Sequence, residues 1–127
     1  MEPDVTPEAA VYQFMNSFGI PAMPSSSVPD DQAFPYITYD LVVGEWLGGD
    51  VPMTVNVWYR TESEALPNAK VRQMFDAIGD GGVILSCDGG LLWVRRGSPW
   101  AQALVVDGED KAVKRRYVNI DIEYMLS

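Results

Sequence analysis

The chain has 127 residues, a formal charge of −9 and 47% apolar residues, which fits a single soluble domain large enough for a real core. It has no histidine and one cysteine, Cys87. That excludes an internal disulfide, Ser–His–Asp and Cys–His catalysis, and zinc sites built from thiolates and imidazoles. No apolar run approaches a membrane span. The opening MEPDVTPEAA lacks the basic and apolar regions of a secretory signal, so synthesis in a cytoplasm is expected.

In chain order, Thr6-Pro7-Glu8 starts a helix: Thr6 caps, Pro7 suits the first position and Glu8 favours the positive end of the dipole. Val11, Phe14, Met15 and Phe18 form its apolar stripe, and Gly19 with Pro21 ends it. Residues 21–33, PAMPSSSVPDDQA, have no periodicity and read as an extended Pro/Ser-rich connection.

The stretch Phe34–Arg60 is expected to be an antiparallel pair at the middle of a sheet. Tyr36–Val43 and Met53–Tyr59 are rich in aromatic and β-branched residues, and GEWLGGDVP between them is turn chemistry. In the second arm Val51, Met53, Val55, Val57 and Tyr59 share the core face, while Thr54, Asn56, Trp58 and Arg60 share the other. A second helix follows, with Val71, Met74, Phe75 and Ile78 as its stripe, Pro67 in an early turn and Gly79 at its end. Asp88-Gly89-Gly90 joins Val83–Cys87 to Leu91–Arg96 as a hairpin, and Gly97-Ser98-Pro99 is expected to stop the second strand. Gln102–Val106 is a candidate strand, Asp107–Asp110 a polar turn, and Tyr117–Tyr124 a closing strand with Val118, Ile120, Ile122 and Tyr124 inward. The expected fold is α+β over residues 1–127: a mostly antiparallel sheet of about five to six strands with two helices on one face.

Catalytic signals are absent. Asp107, Glu109 and Asp110 lack the loop pattern of a calcium site, and neither a GxGxxG motif nor a P-loop is present. No metal or cofactor is expected. Cys87 in VILSC reads as a buried, inert thiol. The informative features are aromatic surplus and uneven charge. Trp46, Trp58, Trp93 and Trp100 fall at turns, on an outward strand face or beside arginines; they are interface residues or caps at the edges of the core. Eight acids precede the first basic residue, Arg60, whereas Arg95, Arg96, Lys111, Lys114, Arg115 and Arg116 gather in the second half. This asymmetry suits head-to-tail contacts between copies, or is ordinary solvated charge. The acidic balance argues against general nucleic-acid binding.

The amino-terminal helix, the proline-rich run into FPYITYDL, the strand VPMTVNVWYRTES with a helix directly after it, and the closing RRYVNIDIEY resemble, in order and texture, the tail terminator (tail completion) proteins of long-tailed bacteriophages. The resemblance implies a non-enzymatic virion protein assembled in the bacterial cytoplasm. It would form a homohexameric ring at the head-proximal end of the tail, stop growth of the tube and meet the head–tail connector or neck. DNA would pass through the opening without sequence-specific binding. Within that frame Arg95, Arg96, Lys114, Arg115, Arg116 and Trp58 are candidates for subunit contacts, and acidic side chains for the lining of the opening. Trp46, Trp100, Asp107, Glu109 and Asp110, with the 21–33 connection, are candidates for contacts with the tube or neck. The alternatives are a head-closure or stopper protein of the same neck, a monomeric protein-binding module, and an enzyme using carboxylates alone.

Overall fold

The computed structural model describes residues 5–41, 49–106, 108 and 110–126. Helix α1 (Pro7–Met15) begins as the sequence dictates, with Thr6 Oγ1 accepting from the Ala9 amide at 3.0 Å and Pro7 opening the first turn. It tightens into a 3-10 turn over Asn16–Phe18 and stops at Gly19, whose φ of 88° is left-handed. Strand β1 (Ala22–Pro24) follows within the connection expected to be irregular. Asn16 fixes it there: its Oδ1 accepts from the Ala22 amide at 2.9 Å and its Nδ2 donates to the Ala22 carbonyl at 3.0 Å. Side-chain pairing of this kind lies outside any hydrophobic period.

The remaining elements are β2 (Tyr36–Asp40), β3 (Asp50–Arg60), α2 (Ala65–Ile78), β4 (Val83–Cys87), β5 (Gly90–Leu104) and β6 (Val113–Leu126). They make a six-stranded sheet in the order β1-β2-β3-β6-β5-β4, parallel only between β1 and β2. The expected α+β architecture, a mostly antiparallel sheet with two helices on one face, is the one observed. Its centre differs from the expectation. β2 and β3 do pair, but the middle is β3 with β6, matched from Asp50–Glu123 to Arg60–Val113. Which distant strand joins β3 depends on register, which local pattern does not encode.

Strand β5 also departs from expectation. Gly97-Ser98-Pro99 interrupts the ladder without ending it: Arg96 faces Ile120 and Ala101 faces Val118, so residues 97–100 bulge out and Gln102 continues the same strand. Gly97 is needed at this point because a β-carbon there would lie 2.7 Å from the Asn119 carbonyl oxygen. Asn119 Nδ2 in turn donates to the Pro99 carbonyl at 2.9 Å and steadies the bulge. The closing strand starts at Val113, four positions before the apolar alternation becomes evident.

Inward residues of the central strands, among them Val55, Val57, Leu92, Val94, Val118, Ile120 and Ile122, form the core with Met15 of α1 and Met74 and Ile78 of α2. Each such side chain contributes about 1.5–3 kcal/mol by leaving water. The α2 helix crosses β3, β6 and β5, while α1 packs against β1 and β4, the outermost strands of the curled sheet. The Asp88 amide donates to the Val5 carbonyl at 2.6 Å and ties the β4–β5 turn to the start of α1. Lys70 of α2 donates to the Phe18 carbonyl, linking the helices and satisfying a terminal acceptor. Burial lowers the pKa of Lys70.

Candidate interaction surfaces

The side of the sheet opposite the helices carries two groups of aromatic and arginine side chains. Tyr36, Trp58 and Arg115 sit directly across from one another on β2, β3 and β6. This cross-strand register stacks the Tyr36 and Trp58 rings at 6.2 Å and 18° and places the Arg115 guanidinium 5.3 Å from the Trp58 centroid. Trp58 Nε1 donates to Thr38 Oγ1 at 3.0 Å, and Arg115 Nε donates to Asn56 Oδ1 at 2.7 Å. Phe34 extends the row, 5.3 Å from Tyr36, and is exposed. Partial burial raises the Tyr36 pKa above that of a free phenol, so the ring edge stays neutral.

The second group lies on β5. Arg95 stands 4.3 Å over the Trp93 ring and pairs with Asp50 and, at 3.5 Å, with Glu123. Trp93 Nε1 donates to the Gly81 carbonyl at 2.8 Å. Glu123, on the outward face of β6, thus has a cationic partner. Both groups are half-buried and fixed by hydrogen bonds, which is how anchor residues are presented to a partner at small entropic cost.

Strand alternation separates neighbours that the sequence groups together. Arg96 and Arg116, the second members of the two Arg-Arg pairs, lie beneath α2 and not on the open side. Arg96 donates from Nε and Nη2 to the Phe75 carbonyl at 3.0 and 2.8 Å and from Nη1 to Asp80 at 2.7 Å, with its guanidinium 3.3 Å from the Phe75 centroid. It thereby caps the carboxyl end of α2. Arg116, 5% exposed, donates to Asn68 Oδ1 at 2.8 Å and Glu64 Oε1 at 2.6 Å, at the amino end of α2. The hydrogen bond from Arg116 is the main cause of a lowered Glu64 pKa. Lys114 donates to the Lys111 carbonyl at 2.9 Å and stands 4.0 Å from Glu64. The period that makes Val118 and Ile120 inward extends back to Arg116, so this split could have been read from the sequence.

Trp100, expected in a loop, lies in the β5 bulge. It donates from Nε1 to the Val71 carbonyl at 3.3 Å and meets Phe75 edge-on at 5.7 Å, lining a shallow hollow with Asn68 and Arg72. Asp110 accepts from Arg60 Nε at 2.8 Å and from the Ala112 amide at 3.0 Å, and these bonds lower its pKa. Trp46, Asp107 and Glu109 lie outside the described residues. Cys87 is half-buried, with its pKa raised first by burial.

One feature the sequence reading missed is a groove of about 630 Å³ between α1 and the end of β2. Its lining is mainly apolar, from Tyr12, Pro24, Tyr39 and Leu41, with Glu8 and Asp40 also contributing. The proline-serine run folds beside the helix to make one wall, a long-range placement with no signature in composition. Among the described residues there is no cluster of three or more potential metal ligands, and no helix is long and apolar enough to cross a membrane. No family model, curated protein or solved structure matches this chain.

Proposed function

We propose that the chain is a structural subunit of a long-tailed phage, a tail-terminator-type protein that assembles into a ring at the head-proximal end of the tail, stops tube growth and joins the tail to the neck. The observation that carries this reading is the helix-free sheet face, on which Tyr36, Trp58 and Arg115 form one fixed row and Trp93 with Arg95 a second. Rigid aromatic–arginine clusters on an open sheet face are interface chemistry. They match the resemblance borne by the ordered helices and strands of the sequence.

In this reading Arg115, Trp58 and Arg95 meet a neighbouring copy or the tube, and the ring opening lets DNA pass without reading its bases. Net negative charge keeps phosphates from adhering to the wall. The test is polymerisation of purified tube protein with and without this chain, with lengths measured by electron microscopy. Tubes of limited length, capped at one end, are the expected result. An unchanged length distribution at saturating concentrations of this chain would overturn the reading.

A further inference from the structure

A sheet presents unpaired N–H and C=O groups along its edges, and folds blunt those edges with prolines, charges, bulges or covering elements. The outer edges here are treated in that way. On β1 the Ala22 amide and carbonyl are taken by the Asn16 side chain, and Pro24 has no N–H to offer. The start of β3, which runs past the end of β2, carries Asp50 and Pro52. On the far side α1 packs against β4, and the Asp88 amide at the end of that strand is bonded to the Val5 carbonyl.

The second half of β5 is different. β4 pairs with β5 only from Gly90 to Val94, so after the bulge Ala101–Leu104 have β6 on one side and no strand on the other. In an antiparallel ladder alternate residues turn both backbone groups away from their partner. Among the described residues, no backbone group of residues 101–106 is bonded to anything outside the β6 ladder. The sequence there is AQALVV, without a charge, a proline or a glycine. Gln102 and Ala103 are exposed, and Val105, next in line, is 90% exposed. Such an edge takes an added strand.

The added strand has to suit a chain of formal charge −9. Two copies repel each other unless they meet along a line free of acids, and AQALVV is one. Among the described residues the other edges are blunted, so the strand a second copy can offer is this same one. We propose that β5 pairs with β5 of a second copy, antiparallel about a two-fold axis near Ala103, so that one sheet runs through both copies. Ala101 and Ala103 lie on the helix side, level with Val118 and Arg116. An axis normal to the sheet sets Ala103 opposite its own copy, Gln102 opposite Leu104 and Ala101 opposite Val105, which covers the exposed valine. The pairing is independent of the ring reading: it is an isologous contact, whereas a ring closes through head-to-tail ones.

The test is light scattering on the full chain as concentration rises from about 1 μM to about 1 mM, the range for a contact this small. The wild type should pass from monomer to dimer. Ala103→Glu sets like charges face to face across the axis and should raise the concentration for half-dimerisation by about tenfold or more. Ile84→Glu, at an exposed position of β4, should leave it unchanged. Cysteines read the register: in a Cys87→Ser background, oxidised Ala103→Cys should form a covalent dimer, because residues facing each other across antiparallel strands are within disulfide reach. Ile84→Cys in the same background should not. Circular dichroism matching the wild type shows that each variant is folded. A wild-type chain still monomeric at the top of the range overturns the pairing and leaves the tube-length assay to judge the ring. A dimer that survives Ala103→Glu, or one that Ala103→Cys fails to cross-link, overturns it as well.

Discussion

The two faces of the central sheet are built from alternate residues of the same strands, yet they work under opposite rules. On the helix side, β6 presents Val118, Ile120 and Ile122, all at 1% exposure or less. Its buried cation there, Arg116, is taken up by Glu64 and Asn68. On the open side the same strand presents Arg115, Asn119 and Glu123, held by neighbours across the ladder, together with Asp121, all half-buried. A buried guanidinium must be fully partnered inside the fold. A half-buried one beside a ring keeps donors for something else. Arg115 and Arg116 are adjacent in the chain and have different tasks, because a strand turns successive side chains to opposite faces.

The sharpest way to break this comparison is to truncate neighbours on β6. Ile120→Ala leaves a cavity beneath α2 and should cost about 3–4 kcal/mol in urea unfolding. Asp121→Ala, one residue away on the open face, should change stability by no more than about 0.5 kcal/mol. Equal losses from both would mean that the two faces are not distinct. Next in size is the arginine pair. Arg116→Met removes the hydrogen bonds that tie Asn68 and Glu64 to the sheet and loosens the amino end of α2, an expected loss of about 2 kcal/mol. Arg115→Met gives up one part-buried hydrogen bond, to the buried Asn56, and a cation–π contact, about 1–1.5 kcal/mol. Under the proposed function the order reverses in the tube-length assay: Arg115→Met lengthens tubes, whereas Arg116→Met, once folded, caps them normally. Trp58→Leu should follow Arg115→Met, with about 1 kcal/mol lost from the Tyr36 stack.

Much of this arrangement was legible beforehand, and the pattern of what was not is physical. The Thr6 cap, the apolar stripe of α2, the Asp88-Gly89 turn and the outward Trp58 each follow from residues within a few positions of one another. Strand alternation likewise contained the different fates of Arg115 and Arg116, but charge clustering obscured it. What local pattern does not hold is partnership at a distance. β6 pairs with β3 across more than fifty residues, Asn16 fixes Ala22 through a side chain, and the 97–100 bulge carries Trp100 onto α2. The groove likewise needs α1, the proline-serine run and the end of β2 brought together, which is why only the folded chain reveals it.

The smallest expected effect concerns pH and tests the helix side of the comparison at its margin. Glu64 and Asp110 are pushed below the usual carboxylate range, Glu64 chiefly by its hydrogen bond from Arg116 and Asp110 chiefly by that from Arg60. Because each folded pKa is lower than the unfolded one, the unfolded chain binds protons first as the solution is acidified. The contribution of each pair is therefore whole above the ordinary carboxylate pKa and is lost as pH falls through the lowered folded value. Thermal unfolding followed from about pH 7 to about pH 3 should show Tm falling less steeply in Glu64→Gln and Asp110→Asn than in the wild type. Both carboxylates are exposed, so about 1 M salt should shrink the difference by screening it. Glu64 has the further constraint of a buried partner, since Arg116 keeps its charge at every pH in this range. Its variant should retain more salt-resistant sensitivity than Asp110→Asn, whose partner Arg60 is open to water. Identical salt responses in the two variants would mean that the burial of Arg116 does not shelter its ion pair, and the contrast between the faces would then rest on the apolar residues alone.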